Sequence, residues 1–469
     1  MPVADPRFVL RHEYVDAALI FDPDSGEQYR MNAVGARVWR LLNGRRSLRE
    51  IADRLKVFYQ DVPGQAERHV GDFVQNLVRK GLVLPEPVTS SSDDLDDELL
   101  TGPRDPSVML VPRSVDVAVT GRCNLRCTYC SHFTSAGDVD TDLPLSEWQD
   151  FFRELRDAAV MAITLQGGEP FCRPDLEPLI LGIVENRMRF SILSNGTMVT
   201  PAMAAFLAAT GRCDGVQVSI DGAEAAVHDS FRGPGSFARA MAGVRHLQVA
   251  GLPVSVRVTL HQNNIDDLPA IARLLLEECG LEDFSCNAAS HLGLCREHSD
   301  VVQLTALERS HAMALLAELS QGYPGRIHAT AGPLAEAECW REMIEARRQA
   351  RKSLPGGGHL TGCNGPMQTI AVRADGVLVP CIQLSHLELG RINRDSLRHV
   401  WLQHPILERL RQRRAISLER FDFCRGCDFV SYCTGNCPAL AYTLTGDDQH
   451  PSPDACLRRF LEQGGSLPE

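Results

Sequence analysis

The sequence has no uninterrupted apolar run of about 18 residues, the length that would carry a helix across a bilayer, so no membrane span is expected. Its start, Met1-Pro2-Val3-Ala4-Asp5-Pro6, lacks the basic-then-apolar pattern of a secretory signal, and a cytoplasmic protein is expected. A surplus of positive charge is missing too. The 48 Lys and Arg face 60 Asp and Glu, a net charge of −12. That balance argues against a general nucleic-acid binder, whose basic face must neutralise phosphates. Apolar residues are not scarce: 44% hydrophobic and 23% charged is ordinary for a globular chain, and 469 residues suffice for two or three domains.

Cysteine is the residue present in excess. Sixteen cysteines without an export signal call for a chemical reason, because the cytosol disfavours structural disulfides and clustered thiols there bind metal or react. Ten fall into two groups, 123–130 and 363–456; Cys172, Cys213, Cys279, Cys286, Cys295 and Cys339 are scattered and read as small buried hydrophobes.

The first group is Cys123-Asn124-Leu125-Arg126-Cys127-Thr128-Tyr129-Cys130. It follows the alternating run Val115-Asp116-Val117-Ala118-Val119-Thr120, which places three thiols on a turn at the carboxyl end of a strand. Three thiolates can hold three irons of a [4Fe–4S] cube and leave the fourth iron open. A structural zinc site asks for four ligands and a disulfide framework for an even number. A loop that merely carries cysteines is the plain alternative. The octet resembles the signature of the radical S-adenosylmethionine (SAM) superfamily, in which the open iron chelates SAM through its amino and carboxylate groups. Tyr129, before the last cysteine, fits that pattern. The resemblance implies that Cys123, Cys127 and Cys130 hold the catalytic cluster and that a flavodoxin- or ferredoxin-type protein supplies its electrons.

Taken in order, residues 1–86 read as a winged-helix-like α+β domain. Apolar runs at 8–10 and 17–21 precede a helix capped by Asn32, with Val34, Val38, Leu41 and Leu42 at helical spacing. Helices are expected at 47–56, facing inward with Ile51 and Leu55, and at 66–80 with Val70, Phe73, Val74 and Leu77; a strand at 82–84 closes the unit. Many winged helices bind DNA, but acidic and basic residues are nearly balanced here. The stretch Tyr29–Trp39 resembles the small peptide-binding chaperone of pyrroloquinoline quinone biosynthesis. That resemblance implies recognition of a precursor's leader peptide by addition to a sheet edge. Residues 87–106, with Ser90-Ser91-Ser92 and five nearby acids, read as a solvated linker.

From 107 to about 330 strands and helices alternate. Strands are expected at 115–120, 162–165, 190–193, 215–220, 254–259 and 283–286, with helices at 146–158, 175–187, 201–209, 236–250, 265–279 and 303–319. Six βα units give an α/β fold, a partial (β/α)6 barrel whose ligands bind at the carboxyl ends of its strands. At those ends stand Gly167-Gly168-Glu169-Pro170, Ser194-Asn195-Gly196-Thr197 and Ser219-Ile220-Asp221-Gly222, followed by His228–Gly233. Singly these are turn residues. In the radical SAM family the same order implies that Gly167, Gly168 and Glu169 lie along the SAM amino group. It places Ser194 and Asn195 beside the ligand, Ser219 and Asp221 near its carboxylate and ribose, and Arg232 as a carboxylate partner. Cys286 and His291 read as a buried thiol and a loop histidine, with substrate contact as the sharper alternative.

The last region, 331–469, carries Cys363, Cys381, Cys424, Cys427, Cys433, Cys437 and Cys456. By spacing alone these are candidate zinc knots. The pattern also resembles the SPASM extension of radical SAM peptide maturases. By position, that resemblance implies one auxiliary iron–sulfur cluster on Cys424, Cys427, Cys433 and Cys456 and a second on Cys363, Cys381 and Cys437. Position 369, where some relatives have a fourth cysteine, is Thr. Sulfatase-maturing relatives carry an acid after the cysteine equivalent to Cys381; here it is Ile382, which argues against formylglycine chemistry. The resemblance as a whole implies cleavage of SAM to a 5′-deoxyadenosyl radical and hydrogen abstraction from a ribosomally made precursor peptide. Crosslinking is the main expectation and epimerisation the alternative. A non-catalytic iron–sulfur or zinc sensor binding peptide or DNA is the reading from a different class.

Overall fold

The computed structural model describes residues 1–14, 16–59, 63–84, 108–132 and 141–468; the expected linker at 87–106 lies outside them. At the amino terminus β1 (Val3–Ala4) leads into an antiparallel sheet of β2 (Val9–His12), β3 (Ala17–Phe21) and β4 (Gln28–Asn32). Three helices follow, α1 (Ala33–Leu41), α2 (Leu48–Phe58) and α3 (Ala66–Arg79), and β5 (Val83–Leu84) returns to pair with β1. Asn32 caps α1, its Oδ1 accepting from Gly35 N at 2.8 Å. Ser47 and Glu50 cap α2 reciprocally. One inward assignment is corrected: Val34 points to solvent, while Gly35 lies against Phe73 and takes the buried place.

The barrel alternates β6 (Ser114–Thr120), α4 (Leu145–Asp157), β7 (Ala162–Gly167), α5 (Leu176–Glu185), β8 (Arg189–Ser194), α6 (Pro201–Ala209) and β9 (Cys213–Ser219). It continues with α7 (Ala225–Arg232), α8 (Ser236–Val249), β10 (Val254–Leu260), α9 (Leu268–Arg273) and β11 (Phe284–Ala288). Strands β6 to β11 are parallel and adjacent in chain order, the six βα units expected of a partial barrel. Beyond them run α10 (Leu294–Glu297), α11 (Ser299–Val302), α12 (Ala306–Gly322), the two-residue β12 (Ile327–His328) and α13 (Pro333–Arg348). On α4, Trp148, Phe151, Phe152 and Leu155 are fully buried, the stripe that a helix must show when it covers a sheet.

The tail extends the same sheet. α14 (Gly365–Gln368) leads into β13 (Thr369–Val372), which joins β6 in parallel, and β14 (Val377–Val379) and β15 (Gly390–Arg391) add antiparallel to give ten strands. Helices α15 (Leu397–Gln403), α16 (Pro405–Gln412), α17 (Pro438–Thr445) and α18 (Leu457–Glu462) complete it. Trp401 of α15 is fully buried and donates through Nε1 to Met109 O at 2.7 Å, fastening tail to barrel. The amino-terminal sheet docks on the opposite end. Buried Arg11 donates to the carbonyls of Val111, Pro112 and Ala159, ahead of β6 and β7, and Arg189, opening β8, donates to Pro23 O. Among the described residues no helix is long and apolar enough to cross a membrane.

Candidate active site

A cavity of about 480 Å³ opens at the carboxyl ends of the barrel strands. Cys123, Cys127, Tyr129 and Cys130 line it from the loop after β6; Gly167, Gly168 and Glu169 from the end of β7; Ser194 and Asn195 from β8. Ser219 and Arg232 complete the set that the motifs single out. The loop and the glycine turn are tied by backbone: Gly168 N donates to Thr120 O at 2.9 Å and Glu169 N to Arg122 O at 2.7 Å. A Cβ on Gly168 would collide with the Arg122 carbonyl, so the close approach itself requires glycine.

Glu169 is 1% exposed. Its carboxylate accepts from Ser194 Oγ at 2.8 Å and from Asn195 N at 2.7 Å. Burial pushes it up to about 7, against the pull of those donors. A buried carboxyl poised there is matched to a cationic ligand. Asn195 in turn places its Nδ2 3.9 Å from Cys123 Sγ and donates to Asn124 Oδ1 at 2.9 Å.

Asp221 departs from its expected place. It is 1% exposed and sits behind the cavity wall rather than on it. Tyr129 Oη and Arg232 Nε both donate to its Oδ2, and Thr259 N donates to Oδ1 at 2.7 Å. Burial opposes the charge, yet Arg232 and these donors hold Asp221 below the usual carboxylate range. Arg232 is therefore already paired within the protein, and its Nη1 reaches to 3.9 Å from Cys127 Sγ. Asp221 thus orients Tyr129 and Arg232 against the cysteine loop. His261 and Phe231 back this group, with ring centroids 3.9 Å apart. Neither Cys286, 2% exposed in the core, nor His291, on a separate cavity of about 610 Å³, lines the catalytic cavity.

Burial and neighbouring negative groups push Cys123 up to about 12, and burial pushes Cys127 up to about 11. Buried thiols of this kind ionise only beside a cation, which is the donor chemistry of a thiolate-bound cluster. In the tail, Cys363, Cys381 and Cys437 lie within electrostatic reach of one another, and so do Cys424, Cys427, Cys433 and Cys456. Burial pushes Cys424 up to about 12 and Cys381 and Cys433 up to about 11. Among the described residues no three His, Cys, Asp or Glu side chains converge as ligands of one metal ion must. Thiolates bonded to separate irons of a cube need no such convergence. Thr369 donates to Gly365 O at 3.3 Å, and Ile382 lines the catalytic cavity.

The cavity also holds residues that no motif marks: Gln166, Gln217, Arg257, Asn287 and, from the tail, Gln383. Alternation along the strands is the signal that points the first four inward; Gln383 lies on a turn and has no such signal. Gln383 reaches back to the cysteine loop, donating to Ser131 Oγ at 3.2 Å.

Comparison with known proteins gives three family matches: the radical SAM superfamily over residues 117–275, coenzyme PQQ synthesis protein D over 18–83, and the SPASM iron–sulfur cluster-binding domain over 363–428. An AdoMet-dependent heme synthase of Methanosarcina barkeri is 29% identical over 74% of this chain and 97% of its own. A PqqA peptide cyclase of Ruegeria pomeroyi is 28% identical over 75% of this chain and 89% of its own. Among solved structures, Streptococcus suis SuiB bound to its precursor peptide SuiA superposes with a TM-score of 0.66 at 13% identity, covering 97% of this chain and 100% of that one.

Proposed function

The chain belongs to the radical SAM superfamily and carries a SPASM iron–sulfur domain, and from that premise we propose that it modifies a ribosomally made precursor peptide, forming an intramolecular crosslink. The observation that carries this reading is one cavity lined together by the Cys123–Cys130 loop, the Gly167–Glu169 turn, Ser194, Asn195 and Ser219. In this reading Cys123, Cys127 and Cys130 hold a [4Fe–4S] cluster with an open iron. With SAM bound, that cluster supplies a 5′-deoxyadenosyl radical able to abstract hydrogen from a C–H bond. Glu169 accepts from the SAM amino group, the two glycines let backbone approach the ligand, and Ser219 faces its carboxylate side. Asp221 keeps Tyr129 and Arg232 in place. The tail's two groups of thiols hold auxiliary clusters suited to take up the electron that crosslinking releases.

The amino-terminal module supports peptide over tetrapyrrole as the substrate. Heme-synthase relatives favour the tetrapyrrole, but the Methanosarcina enzyme is covered almost completely while a quarter of this chain has no counterpart in it. Residues 18–83, in contrast, match the coenzyme PQQ synthesis protein D family. Domain limits of 1–86, 107–330 and 331–469 belong to the same proposal.

Reduced, reconstituted protein should cleave SAM to 5′-deoxyadenosine, and Cys123→Ala should abolish this. Intact SAM in the wild type would overturn the enzyme reading. Iron should approach about 12 per chain for three four-iron cubes; zinc with about 4 iron would make the tail structural. On a precursor peptide, loss of two hydrogens by mass marks a crosslink, and an unchanged mass with altered chirality marks epimerisation.

A further inference from the structure

Arg257 projects from β10 between Val256 and Val258, both fully buried, so alternation turns it toward the barrel interior. It stands in register with Ser219 of β9, while Asn287 of β11 stands opposite Thr259. Both line the 480 Å³ cavity. Yet Arg257 Nε and Asn287 Oδ1 are buried without a hydrogen-bond partner among the described residues. A buried polar group left unpaired forfeits its hydration without gaining a partner, so a donor and an acceptor both unpaired beside one cavity ask for a ligand. Arg232 differs, because Asp221 already neutralises it. Among the described residues no carboxylate offsets the burial of Arg257.

We propose that Arg257 and Asn287 form a docking point for a carboxylate-bearing residue of the peptide substrate. Arg257 donates to the carboxylate, and Asn287 Oδ1 accepts from a neighbouring N–H of the peptide. This rests on the peptide-modifying reading above. The methionine part of SAM is the other source of a carboxylate in this cavity. Its amino and carboxylate groups share one carbon, and Glu169 lies on the turn just after β7, a strand three places from β10 and about 14 Å from it along the sheet. With the amino group at Glu169 and Ser219 on the carboxylate side, Arg257 stands one strand beyond Ser219, about 5 Å along the sheet, as the donor left for a second carboxylate.

The test uses the reconstituted full-length protein saturated with SAM, titrated with N-acetyl-glutamate amide and, separately, with N-acetyl-glutamine amide. Wild type should prefer the glutamate by about tenfold, R257M should erase that preference, and R257K should retain part of it. The Kd for SAM itself should stay within about twofold in both variants. Absence of the preference in wild type would overturn the proposal. So would a SAM Kd weakened about tenfold in R257M with the preference intact, which would give Arg257 to the SAM carboxylate. Binding of coproporphyrin III that depends on Arg257, with no response to glutamate, would overturn it in favour of a tetrapyrrole. Failure of the peptide reading shows separately, as a wild type that cleaves no SAM or binds no precursor peptide whatever stands at 257.

Discussion

Glu169 is the residue at which burial and chemistry meet most directly. Its carboxyl is raised from the usual 4.5 to about 7 by burial. Between those two values the folded protein keeps a proton that the unfolded chain has released, so the residue's contribution to stability falls as pH rises across that window. Glu169→Gln should flatten the pH dependence of the urea midpoint between pH 4.5 and 7, relative to wild type. An ammonium ligand needs the ionised form, so SAM should bind wild type more tightly as pH rises through about 7, and the variant should lose roughly tenfold or more in affinity without that trend. Titration calorimetry over pH reads both. Gly168 carries a second residue-scale expectation. Gly168→Ala must push the Arg122 carbonyl aside, one residue before Cys123. It should cost about 1–3 kcal/mol and lower the iron bound by the Cys123 loop, measured on a variant lacking the seven tail cysteines.

At the scale of elements, helices and central strands were legible because their periodicities are long enough to count. The expected strand at 115–120 and helix at 146–158 became Ser114–Thr120 and Leu145–Asp157. The α4 stripe of Trp148, Phe151, Phe152 and Leu155 can face only the sheet and α5, where Phe152 meets Gly182. Phe152→Ala should therefore cost about 3–5 kcal/mol in denaturant unfolding while leaving SAM cleavage by the folded fraction intact. Strands β4, β12, β13, β14 and β15 carried no such signal. Two to five residues give too few alternations, and what makes them strands is the neighbour each one pairs with: β3 for β4, β11 for β12, β6 for β13, and β13 and β14 in turn for β14 and β15.

Across the whole molecule, the amino-terminal module and the catalytic cavity lie at opposite ends of the barrel, joined by the carbonyls that Arg11 gathers. Strand β6 alone, seven residues long, spans about 23 Å. A peptide that docks on the module and reacts in the cavity must cover at least that distance. Shortening the spacer between leader and modified residue below about seven residues should leave binding intact and abolish the mass change. Deleting residues 1–86 should weaken precursor binding far more than it weakens SAM cleavage. Equal losses in both would mean that the module holds the barrel together rather than the peptide.

The sequence by itself determined the family of chemistry, since the cysteine spacings and the glycine turn are short local patterns that carry the resemblance to radical SAM and SPASM proteins without any tertiary contact. Cys123, Cys127, Cys130 and the Gly167–Glu169 turn needed no tertiary information to be singled out. Only the folded chain decided that Asp221 stands behind the wall with Arg232 already paired, and that Arg257 and Asn287 face the cavity with open hydrogen bonds. Those facts depend on which strands become neighbours and on what each buried polar atom finds there. A linear sequence states the donors and acceptors, but the partners are assigned by contacts between residues tens to hundreds of positions apart.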